Sequence, residues 1–193
     1  DTAPPRDAAA APRALDGAAV DAALRRIARQ PHPPWLHAEV ARRMAQRLAI
    51  VRLQPATVLD WWGHTGASSA RLAEACPRAR RIVVEPSVEL LRRSRAEARG
   101  ASWWTARLWS GTPEVRCDAP AAGSALLLWA NMMLHAVPDP PALLARWQRS
   151  LAVGGFVMFS CLGPGTLREL RAMYGRLGWP PPAPEFGDMH PFA

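Results

Sequence analysis

Residues 56–66, ATVLDWWGHTG, carry the densest chemistry in the chain. An apolar run from Ala56 to Leu59 stops at Asp60, a turn bearing Gly63 and Gly66 follows, and residues 68–76, SSARLAEAC, resume with helical spacing. A strand, a glycine-bearing turn and a helix start make a nucleotide cradle, because the loop and the helix N-terminus present unpaired N–H groups to a ligand. Glu85 closes a second apolar run, RIVVE, 25 residues after Asp60. That spacing suits an acid gripping ribose hydroxyls, which a dinucleotide fingerprint places about 20 residues on. A further run, SALLLWANMMLH at residues 124–135, is too short for a typical helix and is punctuated by Asn131. It reads as a strand with Asn131 at its carboxyl end, facing the same crevice as Asp60 and Glu85, with His135 just beyond.

The elements that must position these groups alternate along the chain. Helical spacing is expected over Asp21–Arg29 and Leu36–Val51, separated by Pro31, Pro33 and Pro34. Val88–Arg99 reads as a helix stopped by Gly100. The stretch 101–118, ASWWTARLWSGTPEVRCD, has no clean period, and a third strand is placed loosely around Trp104–Trp109. Trp103, Trp104 and Trp109 either line an aromatic pocket or fill the core, as large aromatics mostly do. Pro141–Leu151 is expected to be a helix, Gly154-Gly155 a turn, and Phe156–Cys161 a fifth buried strand. Strand, helix, strand in repetition builds an α/β doubly wound, mostly parallel, Rossmann-like sheet. The expected organisation is a flexible leader over residues 1–18, N-terminal helices over 19–53 and the core over 54–193.

With 193 residues, 49% apolar and 21% charged, the chain can bury one sizeable core. Its net charge of +8 rests on arginine alone, since no lysine occurs among the 24 basic residues. Residues 1–100 hold 17 Arg against 10 acids, and residues 101–193 hold 7 against 6, so the excess lies in the first half. Such a surface is usually plain solvated helix face; its sharper reading is a docking face for an acidic partner. Cys76, Cys117 and Cys161 show no CxxC or other metal spacing, and an odd number argues against a disulfide framework. A reducing, cytoplasmic setting is expected. No apolar stretch reaches the roughly 18 residues of a membrane span, and the polar N-terminus carries no targeting signal. His32, His37, His64, His135 and His190 show no ligand spacing, so no metal is expected.

The segment Val58–Gly66, VLDWWGHTG, resembles the first motif of class I S-adenosylmethionine-dependent methyltransferases, which usually reads like VLDLGCGTG. Asp60, Gly63, Thr65 and Gly66 fall into register, while Trp62 and His64 occupy two positions where that family has glycine. Side chains there are expected to crowd the methionine part of the cofactor or to push the loop elsewhere. The second half narrows the resemblance. WANMMLH, DPPALLARW, LAVGGFVMFS, LGPGTLREL and FGDMH, in this order, look like the malonyl-carrier-protein O-methyltransferases of biotin synthesis, over about residues 36–190. Two departures stand out: Leu126 replaces an acid in the strand before Asn131, and the chain ends at Ala193, where such proteins continue into two further strands, so the C-terminal strands are expected to be missing. Asp118 either is or is not the adenine-side acid of that family.

The resemblance implies S-adenosylmethionine as cofactor, with Glu85 on the ribose hydroxyls, Asp60 orienting the glycine loop or the cofactor's amino group, Gly63, His64 and Gly66 in the turn, and Asn131 at the methionine end. It also implies O-methylation of a carboxylate on a carrier-protein-bound acid, with an acidic acyl carrier protein as partner. Such a carboxylate, with a pKa of about 4.3, is already ionised at neutral pH, so no strong base is required. Rate then comes from holding nucleophile and methyl in line where water is excluded. His135 is the polar side chain placed to face the acceptor, or else it caps or fills the core. An alternative is a non-catalytic methyltransferase-like protein acting as a binding partner or regulator. Nucleic-acid binding ranks last, since the chain has no basic run of five or more and no RNA-binding motif.

Overall fold

The computed structural model describes residues 15–51, 54–100, 112–118, 120–184 and 186. Two helices come first, α1 (Gly17–Arg29) and α2 (Trp35–Leu48). Asp16 starts α1 by accepting a 3.1 Å hydrogen bond from the Ala19 N–H, one of the four amides a helix start leaves unpaired. Then follow β1 (Thr57–Trp61), α3 (Ser69–Ala75), β2 (Arg80–Val84), α4 (Val88–Gly100), β3 (Glu114–Arg116) and β4 (Ala125–Ala130). A single 3-10 turn at Leu134–Ala136 leads to α5 (Pro140–Ser150), β5 (Leu151–Phe159) and α6 (Arg168–Arg176). Asp139 caps α5 through Ala142 N at 2.9 Å, with Pro140 in the first turn, where its missing N–H costs nothing.

All strand pairs are parallel, in the order β3-β2-β1-β4-β5. The order reverses between β1 and β4, and the crevice beyond their carboxyl ends is where an open parallel sheet binds ligands. Alternating side chains split the core into two layers. Val58, Leu127 and Trp129 face Ala41, Met44 and Leu48 of α2 and Leu72 of α3. Leu59, Trp61, Leu128 and Ala130 pack with Leu143 and Trp147 of α5 on the other side. Both faces of β1 and β4 are thus covered, which explains their near-continuous apolar runs.

One expectation changes, and others fall on residues outside those described. The third strand of the sheet is Glu114–Arg116, whereas Trp104–Trp109, with the rest of 101–111, lies outside the described residues. The first 14 residues of the expected leader lie outside them as well. Gly154-Gly155 is not a turn before β5 but an excursion within it: Leu151 pairs with Ala125 and Phe156 with Leu127, so the extra residues loop out between the two pairs. Gly154 has φ +79°, and a Cβ on Gly155 would lie 2.9 Å from the Ala152 carbonyl, so only glycine passes there.

Candidate functional site

The turn after β1 is built from its own backbone and braced from three directions. Trp62 N donates to Val84 O at 2.7 Å, and Trp62 O accepts from Gly66 N at 2.8 Å and from Thr65 Oγ1 at 3.0 Å. Trp62 takes the left-handed conformation with φ +56°, which costs a residue bearing a Cβ about 1–2 kcal/mol. From below, the buried Asp60 carboxylate pairs with the Arg81 guanidinium and accepts the Ser68 hydroxyl at 2.6 Å. A Cβ on Gly63 would fall 2.6 Å from Asp60 Oδ2 and 2.8 Å from Val83 Cγ1, so this glycine is required by close approach. From the side, Asn131 donates its amide to Gly66 O at 2.6 Å and to His37 O at 2.8 Å, while its Oδ1 accepts from Ser160 Oγ at 2.6 Å. His37 Nδ1 donates to Thr65 O at 2.7 Å, and burial lowers the pKa of this histidine, which favours the neutral ring.

Glu85 directly follows β2 and braces the turn from the third direction. Its Oε1 accepts from His64 N at 2.9 Å and from Ser94 Oγ of α4 at 2.6 Å, while Oε2 is buried with no partner among the described residues. The side chain is fully buried, and that desolvation pushes its pKa up to about 7, against the opposing pull of those two hydrogen bonds.

Beyond the strand ends lies an open cavity of about 380 Å³, within the range of small-molecule sites. Its walls are Val20, Asp21 and Leu24 of α1, Trp61 and Trp62, Glu85, Cys117 after β3, residues 136–138, and Leu143 and Arg146 of α5. Arg93 fastens the end of α1 to α4 by donating to Gln30 O and Pro31 O, each at 3.0 Å, so α1 is held as a wall.

Of the residues expected at the site, Glu85 lines this cavity; Asp60, Gly63, Gly66 and Asn131 stand behind it and fix the turn. His64 was expected to crowd the cofactor or to push the loop elsewhere; its fully buried ring turns toward α4, with Nδ1 2.9 Å from Glu97 Oε1. The other intruding side chain, Trp62, does reach the cavity wall. His135 lies off the wall, its Nδ1 3.5 Å from Leu162 N and its ring edge-on to Phe186 at 6.1 Å. Asp118 is exposed and paired with Arg116 at 2.5 Å. Sequence reasoning missed His37, Arg81, Asp21 and Arg146. The first two act across 28 and 21 residues of chain, and no local pattern announces such contacts.

Among the described residues, no group of three or more His, Cys, Asp or Glu could hold a metal ion, and no helix is long and apolar enough to cross a membrane. No family model matches the chain. It is 34% identical over 161 residues to the malonyl-[acyl-carrier protein] O-methyltransferase of Gallionella capsiferriformans, covering 80% of this chain and 54% of that protein. The same-named protein of Laribacter hongkongensis is 34% identical over 160 residues, with the same coverage. A trans-aconitate 2-methyltransferase of an Azoarcus species is 34% identical over 100 residues, covering 52% of this chain and 36% of the relative. The chain spans about half the length of the malonyl-carrier-protein relatives it matches. Among solved structures, the N-methyltransferase NodS of Bradyrhizobium japonicum, in complex with S-adenosyl-L-homocysteine, superposes with a TM-score of 0.59 at 18% identity, covering 78% of this chain and 77% of that one. The fold is therefore the Rossmann-like methyltransferase fold, and the resemblance to malonyl-carrier-protein O-methyltransferases read from the sequence holds over most of the chain.

Proposed function

We propose that this chain is an S-adenosylmethionine-dependent methyltransferase that esterifies a carboxylate on a carrier-protein-bound acid, as the names of its malonyl-carrier-protein relatives suggest, in a step of the biotin-pathway kind. Glu85 carries the reading. A buried carboxyl with one oxygen spent on the turn and the other without a partner, on the wall of a cavity at the switch point of the sheet, fits a neighbouring pair of hydroxyl donors such as a ribose offers. Asp60, Gly63, His64 and Gly66 shape the turn that would lie along the cofactor, and Asn131 ties it to α2 and β5.

When bound, the cofactor supplies an electrophilic sulfonium methyl group. The protein's own residues then orient and exclude water. Trp61, Trp62, Leu24 and Leu143 give the cavity apolar walls, and α1 closes one side. An acceptor carboxylate needs no proton removed at neutral pH, so positioning in a dry site is what this chain must supply. His135 holds the segment after β4 against Leu162 and Phe186 and is assigned a positioning role. An acyl carrier protein with an acidic surface is the proposed partner, met by the arginine-rich first half of the chain.

The test is to incubate the chain with S-adenosylmethionine and a malonyl-loaded carrier protein and to follow the intact mass of the carrier. Gain of one methyl group, absent in Glu85→Ala, is expected; a carrier that stays unmethylated while the cofactor binds would refute the acceptor assignment.

A further inference from the structure

Arg146 is the one basic side chain among the described residues that line the cavity. It stands three residues after Leu143 on α5, so the helix that buries Leu143 and Trp147 against the sheet brings Arg146 to the cavity edge of the same face. Its guanidinium carbon lies 5.5 Å from the centroid of the Trp61 ring, within the range of a cation–π contact. Trp61 is itself held edge-on by Trp147, with centroids 6.0 Å apart, and Trp147 by Phe159 at 6.1 Å. The indole that Arg146 approaches is therefore fixed in place by its own neighbours.

The residue is exposed, so water rather than a carboxylate meets its charge. Arg42, Arg43, Arg71, Arg80, Arg81 and Arg116 each pair with a carboxylate, but Arg146 has no acidic partner among the described residues. Asp21 and Glu85 line the same cavity, yet neither pairs with it. A planar guanidinium beside an indole on the wall of a cavity has N–H groups left to form the fork that matches a carboxylate.

We propose that Arg146 is the carboxylate-holding residue of this cavity. The proposal rests on the methyltransferase reading and deepens it: the carboxylate belongs either to the amino-acid end of the cofactor or to the far end of a dicarboxylic acyl acceptor. The two sources share one chemistry and separate in one experiment.

Wild type, Arg146→Gln and Arg146→Lys are titrated by calorimetry with four probes: S-adenosylhomocysteine, 5′-methylthioadenosine, which lacks the amino-acid end, and malonyl- and acetyl-pantetheine. Thermal unfolding checks that each variant folds. If the cofactor supplies the carboxylate, Arg146→Gln weakens S-adenosylhomocysteine at least tenfold and leaves methylthioadenosine unchanged. If the acceptor supplies it, malonyl-pantetheine weakens at least tenfold while acetyl-pantetheine does not change. Arg146→Lys, which keeps the charge but loses the fork, recovers part of the loss; should Arg146→Gln fail to fold, Arg146→Lys is read alone, with a loss of threefold or more. A folded Arg146→Gln that binds every probe within twofold of wild type overturns the proposal and leaves the methyltransferase reading standing. A wild type that binds neither nucleoside sinks that reading instead, and the malonyl against acetyl comparison then decides Arg146 by itself.

Discussion

Replacing Glu85 by glutamine removes a pH dependence of stability and weakens cofactor binding, two effects that are read separately. The buried carboxyl has a pKa raised from 4.5 to about 7, chiefly by desolvation. A raised folded-state pKa means that the folded chain holds a proton the unfolded chain has released between those values, so stability falls as pH rises through this window. A pKa rise of that size corresponds to about 3 kcal/mol in full, most of it lost between pH 5 and pH 8. Glu85→Gln keeps an oxygen to accept from His64 N and Ser94 Oγ but has nothing to ionise. Its buried amide, without a partner, costs about 1–3 kcal/mol at every pH, so the diagnostic quantity is the slope rather than the absolute value. Urea denaturation of both proteins at pH 5, 6, 7 and 8 is the assay. Wild type is expected to lose about 2 kcal/mol more than the variant across that range, while the variant binds S-adenosylhomocysteine more weakly. Parallel pH profiles for the two proteins would refute the claim that Glu85 titrates near neutrality.

Three further substitutions probe the turn. Gly63→Ala puts a methyl 2.6 Å from Asp60 Oδ2 and should destabilise by about 1–3 kcal/mol in urea melts; a neutral effect would mean that the turn relaxes freely. Arg81→Met leaves the buried Asp60 carboxylate with the Ser68 hydroxyl as its remaining neighbour and should cost about 3–5 kcal/mol, part of which Asp60→Asn in the same chain restores; additive losses would contradict the pairing. Trp62→Gly relieves a left-handed residue worth about 1–2 kcal/mol and clears indole from the cavity wall, so S-adenosylhomocysteine should bind at least tenfold more tightly by calorimetry; unchanged affinity would show that the indole does not compete.

The alternation of strands and helices was legible because each buried strand is a short apolar run closed by a polar residue. Glu85 and Asn131 directly follow β2 and β4, as the sequence suggests, whereas β1 runs one residue past Asp60 to Trp61. β5 was harder, since its two glycines look like a turn but serve an excursion that only the register with β4 reveals. At the site, residue types gave position without orientation. Nothing local says that Asp60 faces Arg81, that His64 turns under α4, or that Asn131 spends its amide on Gly66 and His37; those choices depend on β2, α4 and α2, each distant in the chain from the residue it fixes. Arg146 was illegible for the same reason: one arginine among 24 becomes distinctive only when the fold sets it beside Trp61 on a cavity wall and gives it no acid among the described residues.

Titration of the folded chain with S-adenosylhomocysteine, beside Glu85→Ala, tests the central claim most directly. The cavity and its half-satisfied acid lead us to expect saturable binding that stabilises the fold by about 2.7 kcal/mol at a ligand concentration 100 times the dissociation constant, with at least tenfold weaker binding in the variant. A folded wild type that stays unbound at millimolar ligand would contradict it.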